Sequence, residues 1–97
     1  VIDDVLISAF GSAGQRCSSL RVLCIQNEAA PKILNMLKGA MAEMQVGDPS
    51  ELSSDVGPVI DQESFERLKE HRKYLDSFAE FTCEAPLSDV VKTQGHY

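Results

Sequence analysis

The stretch VIDDVLISAFGSAGQRCSSLRVLCIQ, residues 1–26, decides how this chain reads. Val1, Ile2, Val5, Leu6, Ala9 and Phe10 fall at the i, i+3, i+4 spacing of one helical face, which predicts a helix. Gly11 and Gly14 flank Ser12 and Ala13, lower the cost of leaving helical geometry, and predict where that helix stops. Leu20, Val22, Leu23, Cys24 and Ile25 form a short apolar run interrupted by Arg21, the pattern of a strand buried on both faces, expected at about 20–26.

Cys17 lies between the glycine break and this expected strand, on the kind of scaffolded loop where a side chain is both exposed and held still. Arg16 beside it places a cation near the sulfur, which favours the nucleophilic thiolate. The residues alone leave a second reading open, in which Cys17 is a small buried apolar group, as most free cysteines are.

Further along, Asn27 can cap a second helix over about 28–44. Pro31 falls in its first turn, and Ile33, Leu34, Leu37, Met41 and Met44 repeat on one side. The turn formers between Val46 and Ile60 predict a long ordered loop. Asp61 begins a third helix that ends near Ser77–Glu80. Phe65, Leu68, Leu75 and Phe78 form its apolar stripe, and Glu63–Arg67 with Glu66, Glu70 and Lys73 cover its outside. Phe81, Thr82 and Cys83 are a candidate brief strand, and a polar tail runs through about 85–97.

Helix, strand, helix, helix and a possible short second strand predict an α/β fold, read as one fragment over 1–97. A sheet of one or two strands is not self-sufficient. With no initiator Met, and with Val1 opening directly into a helical pattern, the chain reads as an excised part of something longer.

Composition narrows the function classes. The formal charge of −6, with nine basic residues scattered among fifteen acidic ones, argues against nucleic-acid binding, which needs clustered Lys and Arg. The apolar runs are far shorter than the roughly 20 residues a membrane span needs. Three cysteines, separated by six and fifty-eight residues, fit neither a disulfide framework nor a zinc site, so reduced thiols in a cytoplasmic protein are expected. Cys24 is expected in the core and Cys83 inert; His71 and His96 lack ligand partners at metal spacing. Met36, Met41 and Met44 read as core filler.

Phe-x-x-x-Gly-Gln-x-Cys, at Phe10, Gly14, Gln15 and Cys17, resembles the active-site cysteine signature of the NAD(P)-dependent aldehyde dehydrogenase superfamily. Ser8–Gln26, Val46–Pro49 and Asp55–Asp61 closely resemble its L-glutamate γ-semialdehyde (pyrroline-5-carboxylate) dehydrogenase branch, as found in the bacterial bifunctional proline utilisation proteins. The resemblance covers about residues 1–85 and places the chain in the family's catalytic, thiol-bearing domain. One departure is Ser19, where the superfamily usually has Ala; a hydroxyl packed there needs a hydrogen-bond partner.

The resemblance implies that Cys17 attacks an aldehyde to give a thiohemiacetal, that hydride passes to NAD, and that water cleaves the resulting thioester. The Cys17 backbone N–H would supply half of the oxyanion hole. Ser18 would help hold the substrate carboxylate, Arg16 would add charge attraction for it, and Gly14 and Gln15 would position the loop. The family's cofactor-binding domain, water-activating glutamate, oxyanion asparagine and carboxylate-clamping loop are outside these residues, so the fragment alone is expected to be inactive. FAD would belong to a separate proline dehydrogenase domain of the parent, and the expected partners are a carboxylate-bearing aldehyde, the rest of the parent chain and further copies of the parent in a homo-oligomer. The alternative is a non-catalytic scaffold or subunit-contact module with a structural cysteine. A thiol redox sensor is disfavoured, since no resolving cysteine lies nearby in sequence.

Overall fold

Three helices carry the chain: α1 (Ile2–Phe10), α2 (Ala30–Glu43) and α3 (Gln62–Phe78). The computed structural model describes residues 1–89, 91–93 and 95–97. Asp3 and Asp4 lie in the first turn of α1, where negative charge complements the exposed N–H groups. The helix stops at Gly11, as the glycine break predicts. It packs against α2, and these two helices supply the buried apolar residues among those described, Val5 and Met41.

α2 holds Pro31 in its first turn as expected, but Asn27 does not cap it. Asn27 sits in a preceding turn in which the Ala29 and Ala30 N–H groups both donate to the Gln26 carbonyl, so the helix starts from Ala29 without a side-chain cap. α3 does have its cap: Asp61 accepts from the Ser64 N–H at 2.8 Å.

The loop between α2 and α3 is ordered by its own bonds. Val46 and Val56 form an isolated parallel bridge, the Gly47 N–H donates to the Val56 carbonyl at 2.9 Å, and the Asp55 carboxylate accepts from the Gln45 N–H at 2.8 Å. The C-terminal segment returns to this loop, with the Val59 N–H donating to the His96 carbonyl at 2.9 Å. A short 3-10 turn occupies Val91–Thr93.

The strand expected at about 20–26 does not form, nor does the brief one at 81–83; no strand stands among the described residues. Residues 20–26 have the right side chains for a buried strand, but no neighbouring strand offers them a ladder. Val22 is accordingly 76% exposed, and Cys24, expected in the core, is exposed too. Cys83 is likewise exposed at the residue level, although its Sγ approaches Met41 Sδ at 3.9 Å. The described residues form a helical assembly with extended connections.

Surface area measures how incomplete this packing is. The chain exposes 7298 Å². A self-contained monomer of 10.6 kDa exposes roughly 5500 Å², so about a third more is open here than a closed core would leave. The apolar stripe of α3 shows where: Phe65 and Leu75 are half-buried, while Leu68 and Phe78 are exposed, Phe78 with the Tyr74 ring 4.8 Å away between centroids.

Candidate active site

Backbone geometry sets the position of Cys17. After α1, Ser12 (φ 56°), Ala13 (φ 53°) and Gly14 (φ 69°) are three consecutive residues in the left-handed region. Ser12 and Ala13 carry Cβ atoms, and each such residue is disfavoured by roughly 1–2 kcal/mol. At Gly14 any side chain is excluded, since a Cβ would lie 2.9 Å from the Ala9 carbonyl oxygen. A turn this costly persists only where its surroundings hold it.

Four residues hold it. Gln15 donates through Nε2 to the Ser12 carbonyl at 3.1 Å and to the Pro58 carbonyl at 3.5 Å, while its Oε1 accepts from the Ile60 N–H at 2.8 Å. One side chain thus ties the turn to the loop that leads into α3, joining the two sequence blocks that carry the family resemblance. Arg16 donates to the Ile7 carbonyl at 2.8 Å and to the Ser8 carbonyl at 3.3 Å, at the end of α1. Arg21 donates to the Gly14 carbonyl at 2.6 Å, and the Leu20 N–H to the Ser8 carbonyl at 3.2 Å.

Cys17 and Ser18 lie on the outer side of this arrangement, both exposed. The Gln15 and Ser19 N–H groups are taken up by the Ser12 and Arg16 carbonyls, and between them the Cys17 N–H has no acceptor among the described residues. A thiol and a free N–H on one residue can attack a carbonyl carbon and receive the oxygen that becomes negative. Ser18 adds a hydroxyl one residue away.

Ser19 is buried where the sequence reading asked for a hydrogen-bond partner, and the described residues do not supply one to its hydroxyl. Arg21 was legible in sequence only as an interruption of an apolar run; that lone cation in an otherwise strand-like segment was the available signal for its bond to Gly14.

Behind the turn lies an apolar hollow of about 700 Å³ whose wall includes Phe10, Gly14, Val46, Val56, Phe65 and Leu68. Cys17 is not part of that wall. Near the loop that Gln15 grips, Asp61 is held below the ordinary carboxylate value of 3.8 by the Ser64 backbone N–H and hydroxyl, with His96 and Arg67 adding attraction.

The sequence model of the aldehyde dehydrogenase family matches residues 1–97. Bifunctional protein PutA of Escherichia coli K12 is 58% identical over 77 residues, covering 79% of this chain and 6% of that protein. A 1-pyrroline-5-carboxylate dehydrogenase of Geobacillus sp. WCH70 is 34% identical over 67 residues, covering 69% of this chain and 13% of that enzyme. A crystal structure of a Bradyrhizobium japonicum proline utilization A mutant superposes with a TM-score of 0.86 at 42% identity, over 91% of this chain and 9% of that one. This chain therefore spans less than a tenth of the length of the PutA relatives it matches.

Proposed function

Because this chain belongs to the aldehyde dehydrogenase family, we propose that it is the cysteine-bearing segment of an L-glutamate γ-semialdehyde dehydrogenase acting in proline catabolism. The observation that carries the reading is the exposed Cys17, with its free N–H, on a turn that family-signature residues hold in place. In the reaction the Cys17 thiolate forms a C–S bond to the aldehyde carbon, the carbonyl π pair moves onto oxygen, and the Cys17 N–H donates to that oxyanion. NAD, held by residues outside this chain, would take the hydride whose loss turns the thiohemiacetal into a thioester on Cys17, and water would then cleave that thioester to the carboxylate and return the thiol. The exposed Ser18 hydroxyl would donate to the substrate's own carboxylate.

The described residues do not fit a dinucleotide. Among the described residues the Gly11–Gly14 turn follows a helix rather than a strand and leads into an irregular segment rather than opening a helix. NAD binding and hydride acceptance therefore belong to other residues of a longer parent, as would FAD in a proline dehydrogenase domain. A cytoplasmic location accords with the reduced thiols; no helix among the described residues is long and apolar enough to cross a membrane.

The non-catalytic scaffold reading draws on one observation, the uncovered apolar side of α3 at Leu68, Tyr74 and Phe78. Replacing Cys17 by Ala in the full-length enzyme separates the two. Loss of semialdehyde oxidation with subunit assembly intact supports the nucleophile; retained turnover sinks it and leaves the scaffold. For the chain by itself, isothermal titration is expected to detect no micromolar NAD binding.

A further inference from the structure

Besides easing the exit from α1, the two glycines of the break each lie against an arginine. A Cβ on Gly11 would lie 3.0 Å from the Arg16 guanidinium, and one on Gly14 would lie 3.0 Å from that of Arg21. Gly11 has φ −52°, an ordinary value for any residue, so freedom of the backbone is not what its position requires. Space for Arg16 is.

Arg16 uses that space to reach the Ile7 and Ser8 carbonyls, which lie in the last turn of α1. The Ile7 carbonyl also accepts from the Gly11 N–H and the Ser8 carbonyl from the Leu20 N–H, so Arg16 adds a second donor to each, in a turn where α1 has no basic residue of its own. Arg21 crosses from the other side of Cys17 to the Gly14 carbonyl, the last residue of the left-handed run. The pair brackets Cys17 in sequence, and each arginine fixes one end of the turn that presents it.

We infer that Arg16 and Arg21 form a clamp that positions the Cys17 turn against α1, and that Arg16 acts on the reaction through this clamp rather than by attracting the substrate's carboxylate. The inference rests on Cys17 being the nucleophile. The family resemblance implies substrate attraction for Arg16; the two bonds its guanidinium makes, both through one Nη, run to backbone oxygens of α1.

The test uses the full-length dehydrogenase and three variants, Arg16→Ala, Arg16→Lys and Arg21→Ala. Two quantities are read: the rate at which iodoacetamide labels Cys17, followed by peptide mass spectrometry, and kcat and KM for glutamate semialdehyde and for the uncharged aldehyde butanal. A misplaced nucleophile slows every substrate, so Arg16→Ala and Arg21→Ala should each lower Cys17 labelling and kcat by about tenfold or more with both aldehydes. KM for the charged substrate should stay within about twofold, because no ground-state contact to it is lost. Arg16→Lys keeps the charge but not the forked donor and should fall between.

A rise in KM confined to the charged aldehyde, with labelling unchanged, would overturn the clamp and make Arg16 an anion binder. If Arg16→Ala does not fold, Arg16→Lys decides alone, and labelling at the parent rate overturns the inference. Labelling of Cys17 no faster than Cys24 in the unmodified enzyme removes the nucleophile itself, an outcome read before any arginine is changed.

Discussion

The turn around Cys17 and helix α3 spend their polar side chains in opposite ways. In the turn, Gln15, Arg16 and Arg21 all bond to backbone, and Gln15 reaches across more than forty residues of sequence to Pro58 and Ile60. On α3 the side chains mostly bond to one another a turn apart: Glu63 with Arg67, Glu66 with Lys69, Arg72 with Asp76. None of the α3 residues is buried. The difference teaches where positional precision comes from. A bond to backbone in another segment fixes the relative place of two segments, whereas an exposed pair within one helix fixes nothing beyond that helix and contributes little.

If that contrast is right, the largest effect comes from the turn's tightest point. Gly14→Ala adds a Cβ 2.9 Å from the Ala9 carbonyl in left-handed backbone and is expected to destabilise by about 1–3 kcal/mol, read as a lower urea midpoint. Next comes Gln15→Ala, which removes the acceptor of the exposed Ile60 N–H and should cost about 0.5–1.5 kcal/mol. Amide exchange distinguishes the cause, since Ile60 should lose protection while the middle of α3 keeps its own. Equal loss throughout would mean that Gln15 supports the chain generally rather than joining two segments.

Ser19→Ala should move stability the other way. Removing a buried hydroxyl that has no partner among the described residues is expected to stabilise by about 1 kcal/mol, seen as a raised urea midpoint. A destabilising result would reveal that the hydroxyl is satisfied after all. At the small end, Arg67→Ala should change stability by less than about 0.5 kcal/mol, because the Glu63–Arg67 pair is exposed on both sides.

The start of α3 sharpens the comparison through pH. Asp61 titrates below 3.8 in the fold, so its ionised form favours the folded state above that value, and this contribution is lost as pH falls through the lowered one. Asp61→Asn keeps an acceptor for the Ser64 N–H and should flatten the acid limb of an α3 helicity titration followed by circular dichroism. An unchanged acid limb would assign the transition to other carboxylates.

Much of the helical frame was legible because its determinants are local. Gly11 ends α1, Pro31 falls in the first turn of α2, Asp61 caps α3, and the periodicity of each helix is set by residues three and four apart. Asn27 misled because its side chain offers a cap that the turn at Gln26 makes unnecessary. The cysteine signature was equally legible as a pattern of residue types. The partners of Gln15 were not, since a backbone N–H and a carbonyl some 45 positions away leave no mark on side-chain identity.

By itself the sequence determined where this chain turns helical, where it breaks, and which sulfur follows the break, all consequences of short-range sterics and capping. Only the tertiary structure decided that residues 20–26 run exposed and unpaired, that Arg16 faces α1, and that the two signature blocks meet through Gln15. A strand exists only when another lies beside it, and a long cation's partner is whichever acceptor the fold brings within reach, so neither can be settled before the chain has packed.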